Sequence, residues 1–157
     1  MESITNQPQG ILPVYPGLIV FKDHAFVETK RGIAAAVTKH YDVLPAFYVD
    51  VIFVDCKEGN VWVGPESKTN FVRIVVEQIA RAMPSPDTAE GRAWRTGWMD
   101  KINETLRPYI FDRKELDWEM HISETPRDLW RVQGIDPPPT DSEAEKSWKA
   151  KNYAHPY

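Results

Sequence analysis

The chain has 157 residues, a formal charge of −4, 42% hydrophobic and 27% charged residues. This describes one globular domain with a sizeable core. The acidic balance sets nucleic acid aside as a partner, since phosphate binding calls for a basic surface, and the single cysteine, Cys56, excludes an intrachain disulfide and a thiolate metal cluster.

No basic stretch leads into an apolar run at the N-terminus, as a secretory signal would require, and the apolar runs are too short to span a bilayer. The expectation is a cytoplasmic protein, not a membrane one. Residues 1–12 are polar, include Pro8 and Gly10, and read as an arm. Residues 14–21 read as a strand whose first half is weakened by Pro16 and Gly17. Over 26–41 the positions Phe26, Ile33, Val37 and Tyr41 share one helical face, with Asp23 as N-cap.

"FYVDVIFVD", 47–55, is aromatic and β-branched and predicts a central strand. Residues 57–67 carry turn chemistry around a short apolar insert and predict a small hairpin or loop. "FVRIVVEQIA", 71–80, predicts a second central strand. Ser85-Pro86 offers a cap followed by proline at the first helical position, and Trp94, Trp98, Ile102 and Leu106 recur every four residues beyond it, a stripe read as core. Over 117–123 the alternation places Trp118, Met120 and Ile122 on one face and Asp117, Glu119, His121 and Ser123 on the other.

The order is strand–helix–strand twice, an α+β chain that folds into a four-stranded sheet with both helices on one face. The other face, carrying Arg73, Glu77, Glu119 and His121, calls for cover by other subunits. Beyond Ser123 one short helix is expected, stopped by Gly134. A charged helix capped by Asp141 or Ser142 follows, with Trp130, Trp148 and Tyr153 as anchors. The expected division is an arm over 1–12, a domain over 13–140 and a tail over 141–157 that packs on the domain or on a neighbour.

These stretches resemble the tautomerase superfamily, in particular its cis-3-chloroacrylic acid dehalogenase-like branch. The resemblance rests on "PVY" at 13–15, "AAAVTKHY" at 34–41, "GNVWVG" at 59–64, "FVR" at 71–73 and "ETPRDLWRVQG" at 124–134. "LPAFYVDVIF", "DWEMHISETPRDLW" and "GIDPPP" are similar to blocks of its fungal-type members. The resemblance implies a homotrimer and an N-terminal proline as a secondary-amine acid or base. It implies arginines that hold a substrate carboxylate, and a small carbonyl or carboxylate substrate, of specialised metabolism in the fungal case. It brings no cofactor, and the chain shows no metal triad.

Carried over residue by residue, the proline is Pro13 or Pro16, and the histidine at the end of the first helix is His40 or Tyr41. The anion-binding arginine is Arg81 or Arg73. The fourth-strand tyrosine is replaced by His121, and the water-activating glutamate by Val132, which takes no proton. An internal proline nitrogen carries neither proton nor available lone pair, so His121, oriented by Glu119, is the expected acid or base. The predicted activity is tautomerisation, hydration, dehydration or a related cyclisation. The rival expectation is a catalytically silent oligomer that binds a ligand or protein through the same pocket.

Overall fold

Alternation along the two longest strands fixes the layers. The computed structural model describes residues 18–21 and 27–157. In β5 (Phe71–Gln78), Val72, Ile74 and Gln78 are buried while Arg73 is exposed. Strand β6 (Asp117–Glu124) runs parallel to it and sets Glu119 beside Arg73 and His121 beside Val75. On the other side of β5 lies β1 (Leu18–Phe21), antiparallel, with Leu18 opposite Val75. Parallel to β1 runs β2 (Ile52–Asp55), giving the order β2-β1-β5-β6.

Each parallel pair needs a crossover, supplied by α1 (Val27–His40) and α2 (Ala89–Leu106). Ile33 of α1 and Ile102 and Leu106 of α2 join Val72 and Ile74 of β5 and Ile110 in one core, with Val37, Val76 and Met120 packed against it. Full burial of side chains this size stabilises by about 1.5–3 kcal/mol each. The expected pair of β-α-β units, with both helices on one face of a four-stranded sheet, is what the chain forms. The stretch 57–67 holds a hairpin of β3 (Trp62–Val63) and β4 (Glu66–Ser67).

Four local expectations are corrected. The strand foreseen over 47–55 is only its second half, because Pro45 leads into a 3-10 turn, Ala46–Tyr48, that buries Tyr48. The helix foreseen from Ser85 starts at Ala89, where the Thr88 side chain accepts a hydrogen bond from the Gly91 N–H. Ser85 and Pro86 stay outside it, with Ser85 Oγ accepting from the Asp87 N–H. In place of a helix stopped at Gly134, a 3-10 turn (Arg127–Leu129) precedes a tight reversal in which Val132 and Ile135 exchange backbone hydrogen bonds. Gln133 and Gly134 both take positive φ, 51° and 81°, the pattern of a two-residue hairpin turn. The Trp94–Trp98 stripe is only half core, for Trp94 is 45% exposed.

A second core forms around the C-terminal segment. Helix α3 (Glu143–Lys151) has Ser142 as N-cap, its side chain accepting from the Glu145 N–H. Trp148 is fully buried among Leu44, Tyr48 and Ala80 of the same chain, with Trp130 and Val132 packed alongside. Val132, where the resemblance expects a glutamate, is thus a packing residue.

Candidate active site

Two cavities meet at Tyr41. The last turn of α1 ends in Lys39 and His40, and the chain then bends so that Tyr41 faces the end of β5. The Tyr41 hydroxyl donates to Gln78 Oε1 at 3.4 Å, and Gln78 Nε2 donates to the Arg81 carbonyl at 3.0 Å. Tyr41 and Gln78 therefore form a partition. Behind it lies a cavity of about 70 Å³ among Val37, Leu44, Tyr48 and Val51. In front lies one of about 450 Å³, walled by His40, Arg81, Trp94, Trp98, Lys101 and Thr105.

Burial raises Tyr41 well above the usual phenol range, so its hydroxyl stays a neutral donor. Burial, with the charge of Glu145, pushes Tyr48 up to about 12. His40 moves the other way. Burial and then the Lys101 charge lower it below its ordinary value, against a smaller opposing effect of Asp42. At neutral pH it is an uncharged imidazole.

Its tautomer follows from one hydroxyl. Thr105 Oγ1 donates its single proton to the Lys101 carbonyl, four residues back, at 2.9 Å. Thr105 Oγ1 also stands 3.2 Å from His40 Nδ1. With the hydroxyl proton on the Lys101 carbonyl, Nδ1–H is the donor in that contact, and since neutral imidazole holds one proton, this arrangement leaves the free lone pair on Nε2. Trp98 stands edge-on to the His40 ring, centroids 5.6 Å apart, and fixes its plane. The result is an oriented imidazole on a cavity wall.

The sequence-predicted residues divide into two places. His40, Tyr41 and Arg81 line the same cavity. Arg73, Glu119 and His121 lie on strands β5 and β6, on the sheet face turned away from the helices. Glu119 was expected to orient His121, but the parallel register sets it beside Arg73, and the two form an ion pair instead. Arg81, expected to clamp a substrate anion, is taken by Glu145 of α3: Nη1 to Oε1 at 3.0 Å and Nη2 to Oε2 at 2.8 Å. Pro13 and Pro16 lie outside the described residues. Among the described residues no three His, Cys, Asp or Glu side chains cluster to hold a metal, and no helix is long and apolar enough to cross a membrane.

Sequence reasoning missed Gln78, Lys101 and Thr105. The spacing of four from Trp94 to Trp98, continued by Lys101 and Thr105 at seven and eleven, marks one helical face and was a usable signal. Gln78 carried none beyond its place at the end of a strand.

Residues 14–153 match the family described as "Putative oxalocrotonate tautomerase enzyme". The chain is similar to RhCC of Rhodococcus jostii RHA1 at 42% identity and a TM-score of 0.79, covering 90% of this chain and 99% of that one. It is also similar to a probable enzyme of Aspergillus fumigatus at 34% identity and a TM-score of 0.77, covering 90% and 96%. N1, a member of the cis-3-chloroacrylic acid dehalogenase family, shares the fold at 18% identity and a TM-score of 0.56, covering 87% and 96%. No curated protein matches significantly.

Proposed function

The chain belongs to the tautomerase superfamily, in the oxalocrotonate tautomerase-type family, and from that premise we propose that it moves a proton on a small carbonyl or enol compound in the cavity in front of Tyr41. The observation that carries this reading is the Thr105–His40 contact, which leaves Nε2 of a neutral imidazole bare. Such a nitrogen takes a proton from carbon and returns it elsewhere on the substrate. Tyr41, neutral and donating, stands on the same wall to stabilise the enolate oxygen.

Pro13 or Pro16 joins this chemistry only where proteolysis makes it the first residue, because an amide nitrogen is no base. His121 has a different role in this reading. The sheet face of Arg73, Val75, Glu119 and His121 is covered by neighbouring subunits of a homotrimer, and His121 faces a neighbour there. Light scattering of the purified chain tests this, and a stable monomer at micromolar concentration overturns it.

The activity test follows ketonisation of a 2-hydroxy-2-alkenoic acid in the ultraviolet. The full chain is compared with forms that begin at Pro13 and at Pro16. Equal rates, all lost in His40→Gln, support the histidine base. Activity confined to a proline-initiated form restores the amine mechanism. Absence of activity in every form favours the silent, ligand-binding reading.

A further inference from the structure

Helix α3 carries a second group of reactive side chains, apart from the cavities on either side of Tyr41. Within a helix a serine or threonine hydroxyl commonly turns back to the carbonyl four residues earlier, as Thr38 does to Ala34 and Thr105 to Lys101. Ser147 does otherwise. Its Oγ stands 3.1 Å from Nε2 of His155, eight residues on. Ser147 is half-buried, beside the fully buried Trp148.

His155 is held from several sides. Its Nδ1 lies 3.2 Å from the Tyr153 carbonyl, which only accepts, so Nδ1 carries the proton in that contact. In the neutral imidazole this leaves the lone pair on Nε2, and the Ser147 hydroxyl donates to it. The backbone is fixed as well: the His155 carbonyl accepts the Trp148 Nε1–H at 2.8 Å. The ring lies against Trp148 and Tyr153, with centroids 6.1 and 5.3 Å away. Lys151, one turn beyond Ser147 on α3, brings its Nζ to 3.5 Å from the same Nε2. A hydroxyl on a base nitrogen, with the base oriented by a third group, is the arrangement that activates a nucleophile. Lys151 adds a positive charge beside the place where the oxygen of an attacked acyl group turns negative.

We infer that Ser147 is an acyl-acceptor site, a nucleophile toward small activated acyl donors such as thioesters and aryl esters, with His155 as its base. Neither cavity is lined by Ser147 or His155, so the donor is met at the surface and is selected by its reactivity. Ser147 Oγ adds to the acyl carbon while its proton passes to His155 Nε2. The bond from that carbon to sulfur or aryl oxygen then breaks, and Nε2 returns the proton to the departing thiolate or phenolate. One serine ester forms for each thioester or aryl ester lost.

4-Nitrophenyl acetate on the full chain tests the assignment, with nitrophenolate release followed in visible light and the acetyl group located by peptide mass spectrometry. A burst of one nitrophenolate per chain is expected, with the acetyl on Ser147. Ser147→Ala should abolish the burst, and His155→Gln should slow it at least ~100-fold. The bond from Trp148 to the His155 carbonyl is kept in the second variant, and an unchanged thermal melt checks that the segment stays docked. Lys151→Gln should slow the burst roughly 10-fold, less than loss of a buried oxyanion donor, while Lys151→Arg retains the rate. The inference is overturned if no acetyl reaches Ser147, if lysines or tyrosines alone are acetylated, or if Ser147 reacts as fast in His155→Gln. Acylation of Ser147 at the same rate in the urea-unfolded chain also overturns it, because the Ser147–His155 pairing belongs to the folded chain.

Discussion

Arg81 and Glu145, sixty-four residues apart, are joined at two points, and Glu145 also accepts the Asp141 N–H at 2.8 Å while Arg127 stands 3.8 Å away. The glutamate side chain is 6% exposed and the arginine 25%. This pair fastens the C-terminal helix to the end of β5, beside the cavity.

Arg81→Ala should therefore act on folding. Breaking a buried pair leaves one charge uncompensated, and a loss of about 3 kcal/mol is expected, at the low end for such pairs because Arg127 and Asp141 remain. Arg73→Ala removes an exposed pair with Glu119 and should change stability by less than about 1 kcal/mol. Urea unfolding of the two variants checks the ranking, and equal losses would contradict it.

Acid should loosen the same fastening. Burial acts to raise Glu145, but its hydrogen bonds from Arg81 and Asp141 and the charges of Arg81 and Arg127 hold it below the usual carboxylate range. A depressed folded-state value gives stability that is complete above the unfolded carboxylate value, about 4.3. That stability is lost as pH falls through the lowered folded value. Thermal melting from neutral to strongly acid pH should show this decline, and Glu145→Gln should flatten it from a lower starting stability.

His40→Gln should lower kcat/KM by roughly 100- to 10,000-fold while circular dichroism stays native. A base works unprotonated, so the rate should rise with pH through a value below the ordinary histidine range, in keeping with the lowered His40 value. Lys101→Gln removes one cause of that lowering and should shift the acid limb to higher pH. A profile unmoved by both substitutions would remove His40 from the reaction.

Two glycines of α2 should respond with opposite signs. A Cβ at Gly91 would stand 1.8 Å from the Ser85 carbonyl oxygen, a backbone atom that cannot step aside. Gly91→Ala should cost more than about 3 kcal/mol, beyond the ordinary range of single substitutions. A Cβ at Gly97 meets nothing within 4 Å, so Gly97→Ala should gain about 0.5–1 kcal/mol from helix propensity. Melting temperatures that move together would refute the contrast.

The close approach of Ser85 to Gly91 also explains why the start of α2 was misplaced from sequence. Ser85-Pro86 carries good capping chemistry, but the loop folds back over the helix and leaves Thr88 as the cap. The longer strands and the bodies of both helices were legible because period is local, and the cap of the last helix was narrowed to Asp141 or Ser142, of which Ser142 serves. The pairing of charges was not legible. Glu119 chose Arg73 through strand register, and Arg81 chose Glu145 across the fold, and neither choice is encoded in nearby spacing. His40 and Tyr41 were legible by resemblance, whereas Thr105 acquires its role only when α2 packs beside α1.

The one antiparallel seam in the main sheet, β1 against β5, relates the two β-α-β units by an approximate dyad. Such a dyad makes the C-terminal end of α1, where the cavity opens, equivalent to the C-terminal end of α2. At that second end the chain winds into a π turn, Arg107–Phe111, with Ile110 fully buried and the Tyr109 ring against Gly32 of α1, where a Cβ would meet it at 2.7 Å. The two poles of the paired β-α-β architecture thus differ: a cavity opens at one, and the Tyr109 ring packs against the bare backbone of Gly32 at the other.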